Sequence, residues 1–187
     1  MQTGKITKVE YLQHEERSQA LVLLMKVWGV GLSKANKLYR MGMRTIEDLR
    51  NNLHLLSNNQ KLGLKYFEDS QIRIPYDEVT EIFQIIKTSL YEILPEEIVE
   101  AVVCGSYRRK KPTCGDMDVL ITRKDDGKID GILDSLLDNL KKIGIIKETL
   151  STSRSFSSKS QFNGICKLRD DLPNRRIDIK VYYLIII

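Results

Sequence analysis

Two aspartates stand two positions apart at the start of an apolar run. Asp116 and Asp118 are followed directly by the apolar residues 119–121, a pattern that predicts a buried strand. Because positions i and i+2 of a strand leave the same face, both carboxylates can bind one metal ion. An Asp-x-Asp pair by itself is about equally often a solvated strand end, so the neighbouring residues decide its interpretation.

A third aspartate lies in a second strand pattern. Residues 176–181 alternate apolar side chains with Asp178 and Lys180, which is the period of a strand with one face in a core. If this strand lies beside the first, three carboxylates meet. Hard oxygen donors with no histidine nearby favour Mg²⁺, or Mn²⁺ in its place, over zinc. Two such ions roughly 3.5 to 4 Å apart can activate an attacking hydroxyl and stabilise a leaving pyrophosphate, which predicts nucleotidyl transfer.

The residues before the acids are suited to an anion. Gly105 and Ser106 open a short basic segment after a predicted strand, and this sequence predicts a helix start. Such a start offers backbone N–H groups, Ser106 adds a hydroxyl, and Arg108 or Arg109 offers a fork of donors to phosphate. Gly115, directly before the first acid, lets a substrate approach the backbone closely.

The elements that must position these residues are indicated by hydrophobic periodicity. An apolar helix with Pro75 in its first turn and an apolar helical stripe at 132–140 are expected to pack on the strands. Residues 145–150 and 161–168 predict two further strands, and the composition of the serine-rich segment 151–160 between them predicts a mobile loop. This order predicts an α+β fold with a mixed sheet covered by helices on one face.

The first third of the chain is predicted to be helical. An apolar helix ending near Val27, a turn at 29–31 with glycines at both ends, and a helix at 33–41 predict a helix-hairpin-helix. Both glycines are expected to adopt backbone conformations that leave polar groups facing a DNA phosphate, directly or through a cation, and Lys34 adds charge. The alternative is an ordinary helical corner with Trp28 in its core.

Composition agrees with a nucleic-acid partner. The chain has 187 residues with 30 Lys and Arg against 25 Asp and Glu, a formal net charge of +5, so attraction to a polyanion is expected, with a membrane surface as the alternative. No signal peptide or membrane span is expected. The cysteines, Cys104, Cys114 and Cys166, lack the spacing of a zinc site or a disulfide framework. A reducing compartment is therefore expected.

These motifs resemble a known family. Gly-Ser-Tyr-Arg-Arg from Gly105, Thr-Cys-Gly-Asp-Met-Asp from Thr113, and Arg-Arg-Ile-Asp-Ile around Asp178 are similar to the palm of family X DNA polymerases of the beta and lambda types. The resemblance continues upstream through Arg73-Ile74-Pro75 and the turn after Trp28. It implies helical fingers at 1–72, with 1–20 as the end of a lyase domain, and a nucleotidyltransferase palm at 73–187 that stops before the thumb.

The resemblance also implies roles for individual residues. Asp116 and Asp118 would bind both metals, whereas Asp178 would bind the catalytic metal and help to draw the proton from the primer 3′-hydroxyl. The positions that match contacts to the incoming triphosphate are Arg73, Gly105, Ser106, Arg109 and Gly115. The positions that match the DNA-gripping hairpin are Met25, Val27, Gly29, Val30, Gly31 and Lys34, with backbone carbonyls of Met25, Val27 and Val30 around a monovalent cation.

The function implied by the resemblance is template-directed DNA repair synthesis in the nucleus. The partners would be gapped or primer-template DNA and deoxynucleoside triphosphates, whereas no motif indicates a repair-protein partner. No deoxyribose-phosphate lyase activity is expected. The run of large apolar residues at 181–187 is expected to mark a point where the sequence is cut or wrongly continued. Two alternatives stay open. One is template-independent synthesis of the terminal-transferase or mu type, although residues 113–116 favour the beta/lambda branch. The other is a DNA-binding fragment that is inactive without a thumb.

Overall fold

The chain folds into two compact units that divide between Phe67 and Glu68. The computed structural model describes residues 8–125, 127–155 and 158–183. Each unit has an apolar core of its own, one around Leu24 and Leu38 and the other around Ile82 and Ile179. No helix among the described residues is both long and apolar enough to cross a membrane.

The first unit is helical, as its sequence predicts. Thr45 caps one helix, because its side chain accepts a hydrogen bond from the Asp48 N–H while the Asp48 carboxylate accepts one from the Thr45 N–H; such a cap contributes about 1 kcal/mol. Ser57 and Gln60 form the same reciprocal box at the next helix. The helices are α1 (Lys8–Met25), α2 (Leu32–Arg40), α3 (Ile46–Asn51), a 3₁₀ turn (Leu53–Leu55) and α4 (Asn58–Lys65).

The turn between α1 and α2 requires one glycine rather than two. Gly29 has φ +81°, the left-handed region that favours glycine. Gly31 has φ −82° and ψ 175°, and this extended backbone is open to any residue. The prediction that both glycines supply unusual conformations is right for Gly29 and wrong for Gly31. The reason is that Gly31 is the residue before α2, where an extended cap conformation is the normal one.

The second unit is an α+β fold built on a mixed sheet. Its five long strands lie in the order β2-β4-β7-β6-β5; the β4–β7 pair is parallel and its neighbours are antiparallel. The helices are α5 (Phe67–Gln71, beginning at the boundary), α6 (Tyr76–Tyr91), α7 (Gly105–Arg108) and α8 (Ile132–Lys142), and the strands are β1 (Ile74–Pro75), β2 (Val99–Val103), β3 (Thr113–Cys114), β4 (Met117–Arg123), β5 (Ile146–Ser155), β6 (Ser158–Cys166) and β7 (Arg175–Tyr183).

The two central strands have one apolar and one polar face. Val119, Ile121, Ile177 and Ile179 are buried in a core shared with the apolar faces of α6 and α8. Because side chains alternate along a strand, the residues between them point to the opposite face. That face carries the predicted acids, so helices cover one face of the sheet, as predicted, and the candidate site lies on the other.

The serine-rich segment is largely strand, so the prediction of a mobile loop at 151–160 is wrong for residues 151–155 and 158–160. β6 is held in the sheet by its pairing with β7 over residues 161–166, and this strand supplies partners for the backbone of β5, such as Ser151 opposite Asn163. Backbone pairing with an anchored strand outweighs a composition that is typical of loops.

Pro75 lies just before the helix and not in its first turn, where the sequence predicted it. It is the N-cap of α6, with φ −57° and ψ 147°, rather than a residue of the first turn. The cause is the short antiparallel pair in which Ile74 and Pro75 lie opposite Cys114 and Thr113. Because Pro75 is the last residue of this pair and has an extended backbone, the helix begins at Tyr76.

Candidate active site

The parallel pair of strands brings two of the predicted acids side by side. Asp118 of β4 lies directly opposite Asp178 of β7, and partners in register leave the same face of a sheet. Asp116 precedes β4 two positions before Asp118 and shares an arginine contact with Asp178. Asp118 and Asp178 therefore lie on one face of the sheet, and Asp116 is linked to Asp178 through one arginine side chain.

That side chain is Arg176, which the sequence analysis did not single out. Its Nη2 atom is 3.3 Å from an Asp116 carboxylate oxygen and 3.8 Å from an Asp178 carboxylate oxygen. The signal that could have found it is its spacing, since Arg176 stands two positions before Asp178 on the same strand and thus on the same face. Within the described part of the chain its Nε is buried without a hydrogen-bond partner.

Burial and neighbouring acids raise the pKa values of Asp118 and Asp178. Desolvation by burial raises the pKa of the Asp118 carboxyl, and the neighbouring charge of Asp116 adds to this, while Lys180 and Arg176 oppose it. Desolvation also raises the pKa of Asp178; Arg176 opposes that shift, whereas Asp118 and Asp116 reinforce it. Partly desolvated like charges are stabilised by a cation placed among them.

The donor set fits a hard divalent cation. Asp116, Asp118 and Asp178 offer carboxylate oxygens alone, the donors that Mg²⁺ prefers. As they stand, no three acidic, histidine or cysteine side chains of residues 8–125, 127–155 and 158–183 already form a group that could hold a metal ion. The Arg176 guanidinium contacts two of the three acids instead. One arginine for three acids leaves negative charge that a bound cation could neutralise.

Gly105 lies against Asp118. It has φ +61°, and a Cβ atom built on it would lie 3.0 Å from the Asp118 Oδ2 atom, so a side chain at this position would be strained and would crowd the Asp118 carboxylate. The Cys104 N–H donates to the Asp118 carbonyl at 2.8 Å, which fixes the start of α7 beside β4. Arg109 Nη2 lies 3.4 Å from the Ser106 hydroxyl, with the guanidinium as donor. Gly105, Ser106 and Arg109 thus form one group next to Asp118.

A second group forms around Arg73. Its guanidinium donates from Nε to the Thr113 hydroxyl and from Nη2 to the Thr113 carbonyl, each at 2.7 Å. A Cβ atom built on Gly115 would lie 3.8 Å from Arg73 Nη1. The short pairing of β1 with β3 therefore brings Arg73 to the glycine directly before Asp116, a contact that no local sequence pattern predicts.

A buried ion pair holds the segment that carries Arg73. Arg175 donates from Nε and Nη2 to the two Glu78 carboxylate oxygens, each at 2.7 Å, and from Nη1 to the Ile72 carbonyl at 3.0 Å. Neither residue of the pair was predicted from the sequence. One arginine thus fixes β7, α6 and the residue before Arg73 to each other.

Asn163 is a further residue that the sequence analysis missed. It lies opposite Asp178 in the β6–β7 pairing. With its amide nitrogen turned toward the carboxylate, it donates to Asp178 Oδ1 at 2.9 Å and accepts from the Ser151 hydroxyl at 2.8 Å. The periodicity of β6 predicted a strand but could not predict its register, and no sequence signal pairs Asn163 with an acid.

The predicted DNA-binding residues lie together in the first unit. Val27 and Val30 are buried, and the Val27 carbonyl accepts a hydrogen bond from the Val30 N–H at 3.0 Å. The Gly29 carbonyl accepts one from Gln60 at 2.7 Å, while the Lys34 ammonium donates to the Leu55 carbonyl at 2.5 Å. Met25, at the end of α1, is exposed, as is Gly31. The hairpin turn is therefore held in place by contacts from within its own unit.

The fold and the site define a palm-like α+β unit with an acidic open face, preceded by a helix-hairpin-helix. Residues 73–183 match the DNA polymerase beta palm, and residues 22–71 match the fingers domain of DNA polymerase lambda. The chain belongs to the family X DNA polymerases of the beta/lambda type.

Three curated relatives illustrate this membership. The chain is 40% identical over 185 residues to DNA polymerase lambda of Arabidopsis thaliana, covering 96% of the chain and 34% of that protein. It is 34% identical over 182 residues to DNA polymerase lambda of Rattus norvegicus, covering 97% and 31%. It is 33% identical over 190 residues to DNA nucleotidylexotransferase of Xenopus laevis, covering 96% and 37%. The chain thus spans about a third of the length of these relatives.

Proposed function

We propose that this chain provides the fingers and palm of a template-directed DNA repair polymerase of the nucleus. It binds gapped or primer-template DNA and adds a deoxynucleotide to the primer 3′-hydroxyl. The observation that carries the proposal is the placement of Asp118 beside Asp178 on the open face of the sheet, with Gly105 against Asp118 and Asp116 linked to Asp178 through Arg176. Similarity to two proteins named DNA polymerase lambda supports it.

The three aspartates are the proposed catalytic residues. In the reaction, the 3′-oxygen forms a bond to the α-phosphorus of the triphosphate, the bond to pyrophosphate breaks, and the hydroxyl proton is lost. Asp116, Asp118 and Asp178 would hold Mg²⁺ or Mn²⁺, which when bound supplies charge neutralisation at the phosphate and acidifies the hydroxyl. Asp178 is also proposed to help to draw the proton from the 3′-hydroxyl, as the family resemblance implies.

The triphosphate is proposed to lie along the two groups next to the acids. Ser106 and Arg109 offer a hydroxyl and a guanidinium beside Gly105, while Arg73 offers a second guanidinium beside Gly115. Planar guanidinium groups donate to two phosphate oxygens at once. The two glycines leave the backbone accessible, so these residues position the substrate rather than carry out covalent chemistry.

The hairpin after α1 is the proposed grip on the DNA backbone. Its turn combines Gly29 in a left-handed conformation with an exposed Gly31, a backbone that can face a phosphate closely. The backbone carbonyls of Met25, Val27 and Val30 are the proposed ligands of a monovalent cation. Lys34 lies beside this turn and contributes positive charge.

Template-independent extension is a second candidate, because the chain is also similar to a DNA nucleotidylexotransferase. The two functions differ in substrate. A template-directed enzyme extends a primer in a one-nucleotide gap and selects the complementary nucleotide, whereas a template-independent enzyme extends single-stranded DNA. Comparing both substrates under equal conditions distinguishes them.

The decisive experiment is primer extension by the chain and its Asp178→Asn variant on a one-nucleotide gap with Mg²⁺. We expect extension by the parent and a loss of at least about 1,000-fold in the variant, since charge stabilisation of this kind is worth several kcal/mol. Binding of the gapped DNA, measured by fluorescence anisotropy, is expected to stay within a few-fold because the hairpin is untouched.

The matched control is Asp138→Asn, which removes an exposed acid from α8 on the helix-covered side of the sheet. This control is expected to extend the primer at the parent rate. Equal rates for parent and Asp178→Asn would remove Asp178 from the mechanism. Binding of gapped DNA by the parent with no incorporation would show a DNA-binding fragment instead of an enzyme.

A further inference from the structure

Four residues form one row across the open face of the sheet. Asp118 lies opposite Asp178, Asp178 lies opposite Asn163, and Asn163 lies opposite Ser151 on the edge strand. Register partners in neighbouring strands leave a sheet on the same side, so their side chains meet in a line. The row begins at an acid of the candidate site and ends at a hydroxyl two strands beyond Asp178.

The amide of Asn163 joins the two ends of this row. Its nitrogen lies 2.9 Å from Asp178 Oδ1 and 3.3 Å from Asp178 Oδ2, and its oxygen accepts from the Ser151 hydroxyl at 2.8 Å. The opposite orientation would set the amide oxygen against the carboxylate, so the network selects a single orientation. Both Asn163 and Ser151 are half-buried, which favours these hydrogen bonds over contacts with water.

Asp178 therefore has two different partners. Arg176 offers a positive charge 3.8 Å from its carboxylate and is shared with Asp116. Asn163 offers a neutral donor, and its amide joins Asp178 to the Ser151 hydroxyl. A cation bound by the acids would compete with the positive charge of Arg176. It would not compete with the amide, because a neutral donor leaves the carboxylate charge in place.

We propose that Asn163 is a positioning residue for Asp178. Held by Ser151, its amide fixes the direction of the Asp178 carboxylate on the open face and so prepares it to bind a divalent cation. This role rests on the proposed function, in which Asp178 is a metal ligand. A carboxylate whose direction is already fixed loses less rotational freedom when it binds an ion.

The test measures Mn²⁺ binding by the full 187-residue chain without DNA. Electron paramagnetic resonance quantifies the unbound ion. Asn163→Leu removes the amide at similar size, and Asn163→Ser keeps a polar side chain too short to reach Asp178. Both variants are expected to bind Mn²⁺ roughly ten-fold more weakly, the usual effect of removing a hydrogen-bond partner of a metal ligand. Urea unfolding midpoints are expected to stay close to that of the parent.

Extension assays add a second measurement that a purely structural role would not change. On gapped DNA, the Mg²⁺ concentration for half-maximal rate is expected to rise in Asn163→Leu by a similar factor. The rate at saturating Mg²⁺ is expected to stay near the parent value, since the amide contacts no reacting atom. This separates positioning of the metal ligand from a direct catalytic role.

Gln161→Leu is the matched control. Gln161 stands two positions from Asn163 on the same strand and donates to the Tyr182 hydroxyl at 3.0 Å, so its loss removes an amide from the same face without touching Asp178. We expect Mn²⁺ affinity equal to that of the parent. An equal loss of affinity in this control and in Asn163→Leu would overturn the proposal.

The remaining outcomes separate the two proposals. If both Asn163 variants bind Mn²⁺ as tightly as the parent while Asp178→Asn binds it at least about ten-fold more weakly, the positioning role is wrong and the proposed function stands. If Asp178→Asn itself binds Mn²⁺ as the parent does, the proposed metal site fails, and the role of Asn163 fails with it.

Discussion

At the scale of single residues, the candidate site combines carboxylates with few compensating charges. Asp116 and Asp178 share the guanidinium of Arg176, and Lys180 adds a favourable charge at Asp118 and Asp178. Burial of like charges raises the free energy of the folded chain unless a cation or a donor compensates. This cost is concentrated at the proposed metal site, in line with the general trade between stability and function.

The first prediction concerns Gly105, whose left-handed backbone and contact distance to Asp118 both disfavour a side chain. Gly105→Ala is expected to lower the free energy of unfolding by about 1 to 2 kcal/mol for the backbone alone. It is also expected to weaken Mn²⁺ binding, because the added methyl group displaces the Asp118 carboxylate. Urea denaturation and Mn²⁺ titration measure the two effects separately.

Gly131→Ala is the control for this prediction. Gly131 also has a left-handed φ, +80°, but nothing lies within 4 Å of a Cβ built on it. The substitution is expected to lower stability by a similar amount and to leave Mn²⁺ affinity unchanged. Equal Mn²⁺ affinities in the two alanine variants would show that contact with Asp118 is not what requires glycine at position 105.

At the scale of elements, the position of Arg73 depends on packing between segments distant in sequence. β1 and β3 are only two residues long each, too short to be stable by themselves. The buried pair of Arg175 with Glu78 ties the start of β7 to the first turns of α6 and reaches the Ile72 carbonyl. The elements around the site are thus fixed by one ionic contact as well as by the apolar core.

The second prediction is that Glu78→Gln destabilises the second unit strongly. The side chains of Arg175 and Glu78 are only 3% and 6% exposed, and removing one partner of a buried ion pair leaves the other charge uncompensated. The expected loss is roughly 3 to 5 kcal/mol in the free energy of unfolding, measured by urea denaturation of the variant and the parent.

A nearby surface pair provides the comparison. Glu81 lies three positions further along α6 and pairs with Arg169 at 3.0 Å, with both side chains 54% exposed. Glu81→Gln is expected to change stability by no more than about 1 kcal/mol, because solvent screens an exposed pair. Similar losses for the two glutamine variants would refute the special role of the buried pair.

At the scale of the whole molecule, positive charge exceeds negative charge. The formal net charge of +5 favours binding to a polyanion, although the candidate site carries three acids. Binding to a polyanion through such charge releases counterions and therefore weakens as salt is added. The dependence on salt measures how many phosphates the chain neutralises.

The third prediction follows from this charge. Affinity for gapped DNA is expected to fall at least about ten-fold between 50 and 200 mM salt, the value for two neutralised phosphates. Lys37→Ala, on the exposed side of α2, is expected to reduce the slope of log affinity against log salt by about one. Fluorescence anisotropy at several salt concentrations provides the measurement.

Lys87→Ala serves as the control, because it removes the same charge from α6 in the second unit, where Lys87 lies 4.0 Å from Glu96. Its salt dependence is expected to match that of the parent. An identical change in both variants would mean that net charge, rather than the hairpin, sets the affinity. An affinity independent of salt would contradict binding through phosphates altogether.

The sequence by itself determined the types and local spacing of the candidate residues. Alternation around Asp118 and Asp178 predicted two strands with an acidic face, and glycine with apolar periodicity predicted the hairpin turn at Gly29. These features follow from contacts between residues close along the chain, which sequence periods of two and about 3.6 encode directly.

Only the tertiary structure decided which distant residues meet. The pairing of Asn163 with Asp178 and the approach of Arg73 to Gly115 depend on register between segments far apart in sequence. The strand conformation at 151–155 depends on pairing with β6, which is itself held by β7. Periodicity indicates which side of a strand is buried, yet a shift of two residues preserves that side while it changes every partner. Register is fixed by the packing of the whole sheet, so these contacts had no local signal in the sequence.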